Sequence, residues 1–247
     1  MNRRELSFPS GADVCAAWLY PAAGDAASSP IIVMAHGLSG TRRDRLGAFA
    51  RSLAGVDGGR VATFGSSMGG GNALAAAADD RRVAAVISQV PFLDIVGQAY
   101  RASPWVVGRM LMAAVLGRHL PAVGQPYEAA FINAPGSEAG WRHIVATGED
   151  SRWRNRVSAR WLLTTLYRPS RYAATLHCPW LVCVGEADQV AKPGPAIRAA
   201  RRAPQGELRV YPGVDHFDIY DGPQHEAVVE DQLAFLRRHL LPAVALP

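Results

Sequence analysis

A serine flanked by glycines is the residue of this chain best placed to do chemistry. Ser67 is the centre of Gly65-Ser66-Ser67-Met68-Gly69, between an apolar, β-like run at 61–64 and an alanine-rich helical run at 72–78. A strand that turns sharply into a helix can hold a serine hydroxyl above the edge of a sheet, and small flanking residues permit that strained turn. Ser66 lacks the flanking glycine pair, so the spacing predicts Ser67 as a nucleophile.

An aspartate and a histidine follow two later apolar runs. Asp188 comes shortly after residues 180–184, and His216 comes shortly after residues 208–211. Since ligands of open α/β sheets bind beyond the carboxyl ends of the strands, we expect Ser67, Asp188 and His216 to converge there. An imidazole takes the proton of a serine hydroxyl and later returns it, while a carboxylate on the far ring nitrogen orients the ring. The three residue types therefore predict acyl-transfer chemistry.

The orienting acid has an alternative. Asp94 follows the apolar run at 83–92, so it is a second candidate for contact with the same imidazole. We interpret Glu186 and Asp215 as solvated loop carboxylates. We expect His36 to pack within its glycine-rich turn rather than to transfer protons.

A buried-strand pattern at 31–35 runs directly into His36-Gly37-Leu38-Ser39-Gly40. This turn before the nucleophile, together with the chain order Ser, Asp, His, resembles the α/β-hydrolase superfamily. The resemblance is closest to the bacterial esterase and serine-peptidase-like branch and covers roughly residues 5–240. The roles that it implies are Ser67 as nucleophile, His216 as base, Asp188 as orienting acid, and the backbone N–H groups of Leu38 and Met68 as oxyanion donors.

The resemblance implies an α/β fold with three layers, in which a mostly parallel sheet carries a helical lid insertion. We expect the hydrolase core to comprise residues 1–94 and 176–247, and the lid to comprise residues 95–175. The predicted strands are residues 3–9, 13–20, 31–35, 60–65, 83–92, 180–184 and 207–211, and the predicted helices are residues 43–54, 68–79, 193–203 and 224–241.

The segment between His36 and Ser67 is shorter than the family pattern requires. Residues 41–59 have room for a single helix, whereas family members have a helix, a strand and a second helix here. The core is thus expected to lack about one strand and one helix. The opening hairpin must then pair with residues 31–35 or detach, and one sheet face is left with exposed apolar surface. A second copy of the chain is a candidate to cover that surface.

The second half of the lid is rich in arginine. Its cations are Arg142, Arg152, Arg154, Arg156, Arg160, Arg168 and Arg171. Solvated helix faces account for such a charge excess, and recruitment of an anionic substrate, such as a carboxylate or a phosphopantetheine-linked ester, is the alternative. No nucleic-acid motif accompanies the charge, so we expect no nucleic-acid partner.

Composition agrees with one globular α/β domain. The chain has 247 residues, of which 49% are apolar and 19% charged, and its formal net charge is +5. Three cysteines in separate or awkwardly spaced positions do not indicate a disulfide framework. The N-terminus lacks an apolar signal core and no apolar run has membrane-spanning length, so we expect a cytoplasmic protein.

The sequence thus predicts a serine hydrolase that cleaves a carboxylic ester or a related acyl bond of a small molecule through an acyl-enzyme. Peptidase, thioesterase and acyltransferase variants share the same triad. A non-catalytic α/β-hydrolase-like binding protein is the alternative from another class, motivated by the shortened core. No metal cluster, dinucleotide fingerprint or phosphate loop is visible, so no cofactor is expected.

Overall fold

The computed structural model describes residues 3–21, 30–41, 60–95, 103–148, 153–164 and 166–240, together with positions 43, 46 and 50. The predicted helix at 43–54 lies almost entirely outside these residues and stays a prediction. The strands are β1 (Arg4–Ser10), β2 (Asp13–Leu19), β3 (Ile31–Ala35), β4 (Val61–Ser66), β5 (Val83–Gln89), β6 (His119–Leu120), β7 (Val157–Ser158), β8 (Trp180–Gly185) and β9 (Gly206–Tyr211). The α-helices are α1 (Met68–Asp79), α2 (Pro104–Val115), α3 (Ser137–Thr147), α4 (Trp161–Thr164), α5 (Pro193–Arg202) and α6 (Gly222–Leu240).

A five-stranded parallel sheet with the order β3-β4-β5-β8-β9 forms the centre of the described structure. Its inner strands are continuous apolar runs because both of their faces are covered. Every residue of β8 is buried, as are all but one residue of β4 and of β5. The predicted strand at 83–92 is shorter than expected, since β5 ends at Gln89 and the chain leaves the ladder at Val90, which has a φ of 36°.

Helices cover both faces of this sheet and make three layers. On one face, Phe64 and Ile87 pack with Phe235 and Leu236 of α6. On the other face, side chains of α1 and α5 pack around Trp180 of β8. The alternation of side chains along each strand supplies both apolar surfaces. The α/β fold class predicted from the sequence is confirmed.

The opening hairpin does not extend the central sheet. β1 and β2 pair with each other as a separate two-stranded antiparallel sheet, so of the two arrangements expected for the hairpin the structure has the detached one. β3 is consequently an edge strand among the described residues. Ile31 and Val33 of β3 are 58% and 56% exposed, while Ile32 and Met34 pack towards α6. The shortened segment predicts apolar exposure of this kind, and a partner that covers it stays a prediction.

The predicted lid contains α2, α3 and α4, a short antiparallel pair of β6 with β7, and a 3₁₀ helix at Pro169–Thr175. Its division from the core at residues 95 and 175 stays an interpretation. Within the described ranges, no helix has both the length and the apolar character that crossing a bilayer requires. Ile132, Trp141 and Ile144 of the predicted lid line the cavity beside Ser67, while the 3₁₀ helix packs on α1 and α5.

Candidate active site

Ser67 stands at the turn between β4 and α1 in a strained backbone conformation. Its φ and ψ are 56° and −122°, a region that non-glycine residues rarely adopt and that is found mainly where function requires it. A serine at a helix start usually caps the helix with its side chain, but Ser67 makes no such hydrogen bond. The hydroxyl of this largely buried residue, 8% exposed, is therefore not used to hold the helix.

The flanking glycines are required by close backbone approaches at the turn. A Cβ on Gly65 would lie 1.9 Å from the carbonyl oxygen of Gly69, and a Cβ on Gly69 would lie 2.5 Å from the carbonyl oxygens of Ala35 and His36. Backbone hydrogen bonds hold the turn in place. Ser67 N–H donates to Gln89 O at 2.9 Å, and Ser67 O accepts from Phe92 N–H at 3.0 Å.

Asp188 and His216 meet beyond the ends of β8 and β9. His216 Nδ1 lies 2.7 Å from Asp188 Oδ2, and the two residues are only 2% and 1% exposed respectively. The other carboxylate oxygen, Oδ1, accepts the N–H groups of Val190 at 2.8 Å and Ala191 at 2.7 Å. This arrangement fixes the plane of the carboxylate and suits Nδ1 as the protonated ring nitrogen, which leaves Nε2 able to accept a proton.

Asp94, the alternative acid, lies in a different environment. Its Oδ1 is 3.3 Å from Nε of Arg168, in the segment that precedes the 3₁₀ helix at Pro169–Thr175. The structure thus brings Asp188, and not Asp94, to the imidazole of His216.

Asp215 has a structural role that the sequence interpretation missed. Its Oδ1 accepts the N–H groups of Gln189 at 2.9 Å and His216 at 2.7 Å, so it connects the loop of the acid to the loop of the base. Glu186 accepts the N–H of Gly213 at 3.2 Å between the same two loops. Asp215 is therefore more than a solvated loop carboxylate, whereas Glu186 is an exposed loop carboxylate as expected. No local pattern indicates that Asp215 connects the two loops, because Gln189 lies 26 residues away in the chain.

A buried polar chain connects the serine turn to the loop after β9. Ser66 Oγ lies 2.6 Å from Tyr220 Oη and accepts a hydrogen bond from Gln89 Nε2 at 3.2 Å, and Gln232 Nε2 of α6 donates to Gln89 Oε1 at 2.8 Å. Burial raises the pKa of Tyr220 to about 12, so its hydroxyl stays protonated at neutral pH. Ser66 is thereby a structural member of this chain, while Ser67 faces the cavity.

The His-Gly turn forms one wall of that cavity beside Ser67. A Cβ on Gly37 would lie 3.0 Å from Ser67 Cβ and 3.6 Å from its Oγ, so only glycine allows the turn to lie this close. The two expected oxyanion donors lie at this place. Among the described residues, the N–H groups of Leu38 and Met68 donate to no other protein atom. Both are thus available to a ligand.

The cavity is small and mostly apolar. Ile132, Trp141 and Ile144 of the predicted lid form the wall opposite the serine turn, and Tyr220 and Leu38 contribute to its sides. Its free volume is about 20 Å³, room for roughly one water molecule. Binding of an acyl group therefore requires lining side chains to move.

Ser67 and His216 are not hydrogen-bonded to each other in this structure. Within the described part of the chain, Ser67 Oγ has no hydrogen-bond partner, and the hydrogen bonds of the His216 ring are limited to Asp188. Phe217, next to His216, packs edge-on against Trp141 of the cavity wall at 6.3 Å between ring centroids. The loop of the base thus borders the cavity that holds Ser67.

Comparisons with known proteins agree with this geometry. Residues 22–222 match the family model described as serine aminopeptidase, S33. The chain belongs to this family of α/β-hydrolases. It is 32% identical over 290 aligned positions to the quorum-quenching protein AidA of Acinetobacter baumannii (strain MDR-ZJ06), an alignment that covers 95% of this chain and 94% of the relative. Because that alignment is longer than the chain itself, parts of the relative have no counterpart here.

Two solved structures share the fold at low identity. The α/β hydrolase GrgF from Penicillium sp. sh18 superposes with a TM-score of 0.78 at 19% identity, covering 97% of this chain and 99% of the other. A soluble variant of monoglyceride lipase from Saccharomyces cerevisiae superposes with a TM-score of 0.73 at 14% identity, covering 98% and 96%. These two likenesses show that the chain shares the fold of these proteins.

We expect the serine turn to be intolerant of a single methyl group. Gly65→Ala places a Cβ within 1.9 Å of backbone that cannot give way, so it should lower the free energy of unfolding by more than about 1 kcal/mol. Gly108→Ala in α2 is the matched control, because its Cβ would meet no atom within 4 Å. That change should stabilise the protein by about 0.5–1 kcal/mol, since alanine is the better helix former. Urea unfolding of the two variants measures both effects, and equal stabilities would contradict the strained-turn interpretation.

Proposed function

We propose that this protein is a serine hydrolase that cleaves a carboxylic ester or related acyl bond through an acyl-enzyme. The observation that carries the proposal is the strained φ of Ser67 at the end of β4, in a chain that also pairs a buried Asp188 with His216. Strain of this kind persists only where the surroundings impose it, and in this fold it presents a nucleophile. Membership of the hydrolase family supports the proposal further.

In the proposed reaction, Ser67 Oγ attacks the substrate carbonyl carbon while His216 Nε2 takes the hydroxyl proton. Asp188 stabilises the resulting imidazolium through Nδ1. The carbonyl oxygen becomes an oxyanion held by the N–H groups of Leu38 and Met68, interactions worth about 3–4 kcal/mol for each such donor in measured cases. The tetrahedral intermediate collapses, the bond to the leaving group breaks, and His216 returns the proton to it.

Water completes the cycle by attacking the acyl-enzyme, with Ser67 now the leaving group. His216 takes a proton from water as the water oxygen attacks the acyl carbon, and the carboxylic acid leaves as Ser67 regains its proton. Catalytic hydrogen bonds in ligand-free enzymes are often long and tighten in the substrate complex. The proposal therefore requires His216 Nε2 to approach Ser67 Oγ when substrate binds.

Acceptors other than water define the variants of this proposal. Transfer of the acyl group to an alcohol or amine gives an acyltransferase, and a thioester substrate gives a thioesterase, with the same residues in the same roles. A non-catalytic binding protein of the same fold is the alternative to an enzyme. The labelling experiment below distinguishes the two.

Covalent labelling tests the nucleophile. A fluorophosphonate probe should form an adduct on the peptide that contains Ser67, located by mass spectrometry, because a serine activated by an imidazole displaces fluoride from phosphorus. Ser67→Ala should abolish the adduct, whereas Ser66→Ala should retain it on Ser67. Circular dichroism controls for folding. Folded wild-type protein that fails to react would favour the binding-protein alternative.

Paired substitutions test the acid. Asp188→Asn should reduce kcat for p-nitrophenyl butanoate by about 10⁴-fold, because the amide favours the wrong tautomer of His216. Asp94→Asn, which weakens a partly exposed contact with Arg168 and changes no group bonded to His216, should change kcat by less than about threefold. The reverse ranking of the two variants would reassign the acid.

The similarity to a quorum-quenching protein over nearly the whole chain favours one substrate class for a first screen. Bacterial signals that carry a lactone present a cyclic ester, which the proposed chemistry would open by adding water across the acyl–oxygen bond. We expect the opening of an N-acyl homoserine lactone to depend on Ser67. The proton that the reaction releases can be measured by titration in a pH-stat. Hydrolysis of open-chain esters without any lactone opening would restrict the substrate class to linear esters.

A further inference from the structure

Trp141 in α3 carries a buried N–H group that no protein atom satisfies. The residue is 7% exposed, and its Nε1 has no hydrogen-bond partner within the part of the chain that the structure describes. Buried donors in native proteins are nearly always paired, so an unpaired one calls for an explanation, and an absent ligand is one of the recognised ones. Trp141 lines the same cavity as Ser67.

The ring of Trp141 is held where it is by aromatic packing on two sides. Its centroid lies 5.6 Å from that of Trp153 and 6.3 Å from that of Phe217. Gly140 lets α3 approach Phe217 closely, since a Cβ there would lie 2.4 Å from the Phe217 ring. The indole is thus positioned by packing rather than by its own N–H.

The indole N–H of the neighbouring Trp153, unlike that of Trp141, has a hydrogen-bond acceptor. Its Nε1 donates to Ser39 Oγ at 2.9 Å and so connects the predicted lid to the His-Gly turn. The two tryptophans lie in one apolar cluster with Leu38 and Ile132. One N–H supports the structure, and the other is a buried donor without a partner among the described residues, on a side chain that lines the cavity.

The other residues that line the cavity indicate whether a ligand group that accepts a hydrogen bond from Trp141 would be charged or neutral. Leu38, Leu46, Ile132 and Ile144 are apolar, and no lysine or arginine occurs among the described lining residues. The lid arginines that have described partners bind elsewhere, such as Arg142 to Glu138 and Arg168 to Asp94. An anionic group entering this cavity would lose hydration and meet no permanent cation among the described lining residues, where His36 is the one side chain able to take a positive charge, and this cost disfavours it.

We propose that Trp141 Nε1–H donates a hydrogen bond to an uncharged oxygen of the substrate, so that the site selects neutral esters bearing a carbonyl, ether or hydroxyl oxygen near the scissile bond. This inference rests on the proposed hydrolase function and specifies its substrate class. It replaces the expectation of an anionic substrate recruited by the arginine-rich part of the lid. Trp141 acts here as a specificity-determining residue and takes no part in proton transfer.

A pair of isosteric esters tests the subsite. p-Nitrophenyl methoxyacetate and p-nitrophenyl butanoate differ by one ether oxygen in place of a methylene group. Trp141→Phe keeps an aromatic ring and removes the N–H. It should reduce the ratio of kcat/KM for methoxyacetate to kcat/KM for butanoate by about tenfold, the effect of one lost hydrogen bond in a buried site. Comparing ratios cancels the higher intrinsic reactivity of the methoxyacetate.

Thermal unfolding distinguishes this role from a structural one. Trp141→Phe breaks no hydrogen bond of the free protein, so the fall of its Tm should come only from the smaller ring in its packed site. Trp153→Phe loses the same ring atoms and in addition its hydrogen bond to Ser39, so its Tm should fall by about 2–4 °C more than that of Trp141→Phe. A large loss of Tm in Trp141→Phe with an unaltered ratio would overturn the inference.

Binding without turnover separates the failure of this inference from the failure of the proposed function. In the Ser67→Ala background, ligand-observed NMR should show tighter binding of methyl methoxyacetate than of methyl butanoate, and Trp141→Phe should remove the difference. If that preference is seen but Ser67 supports no turnover, the subsite stands and the hydrolase proposal fails. If turnover depends on Ser67 but the ratio is insensitive to Trp141, the subsite fails alone. Preference for the mono-p-nitrophenyl ester of succinate over the butanoate would restore the anionic interpretation and overturn the neutral one.

Discussion

The backbone of Ser67 is the constraint on which the rest of the site depends. A residue with a φ of 56° does not hold this conformation by itself. It is held because Gly65 and Gly69 leave no side chain where β4 and α1 meet, and because hydrogen bonds to Gln89 and Phe92 fix the turn from the neighbouring strand. The same close packing brings Gly37 against the serine and so sets where the oxyanion donors stand. A change that relaxed the turn would therefore displace the hydroxyl and its surroundings together.

The loops beyond the strands are connected to this turn by polar side chains. Asp215 joins the acid loop to the base loop, and the Tyr220–Ser66 contact joins the base loop to the turn. Buried hydrogen-bond networks of this kind restrict the arrangements that a site can adopt. Asp188 and His216 are thus part of a framework that spans three strand ends, although neither of them is hydrogen-bonded to Ser67.

The exposed apolar edge of the central sheet lies at the opposite end of the strand order from His216. The exposed side chains of β3, Ile31 and Val33, face away from α6 on the edge strand. Asp188 and His216 follow β8 and β9, at the other end of the order β3-β4-β5-β8-β9. Ile31 and Val33 are the most exposed large apolar side chains of the central sheet, while Val210 on the opposite edge strand β9 is 43% exposed. The His-Gly turn is the part of the site nearest to the weakened edge.

The sequence by itself determined those features that short stretches of chain encode. The glycine spacing around Ser67 specifies a strained turn because only glycines fit there, and the apolar runs specify strands buried on both faces. It left the choice between Asp94 and Asp188 open, since both follow a strand of the same kind. Only the tertiary structure decides between the two aspartates. The adjacent strands β8 and β9 bring Asp188 to His216, whereas Asp94 pairs with Arg168. Asp215, Tyr220 and Trp141 gave no local signal for the same reason. What each of them does depends on partners that folding brings together from distant parts of the chain, and a hydrogen bond between distant residues leaves no periodicity in either segment.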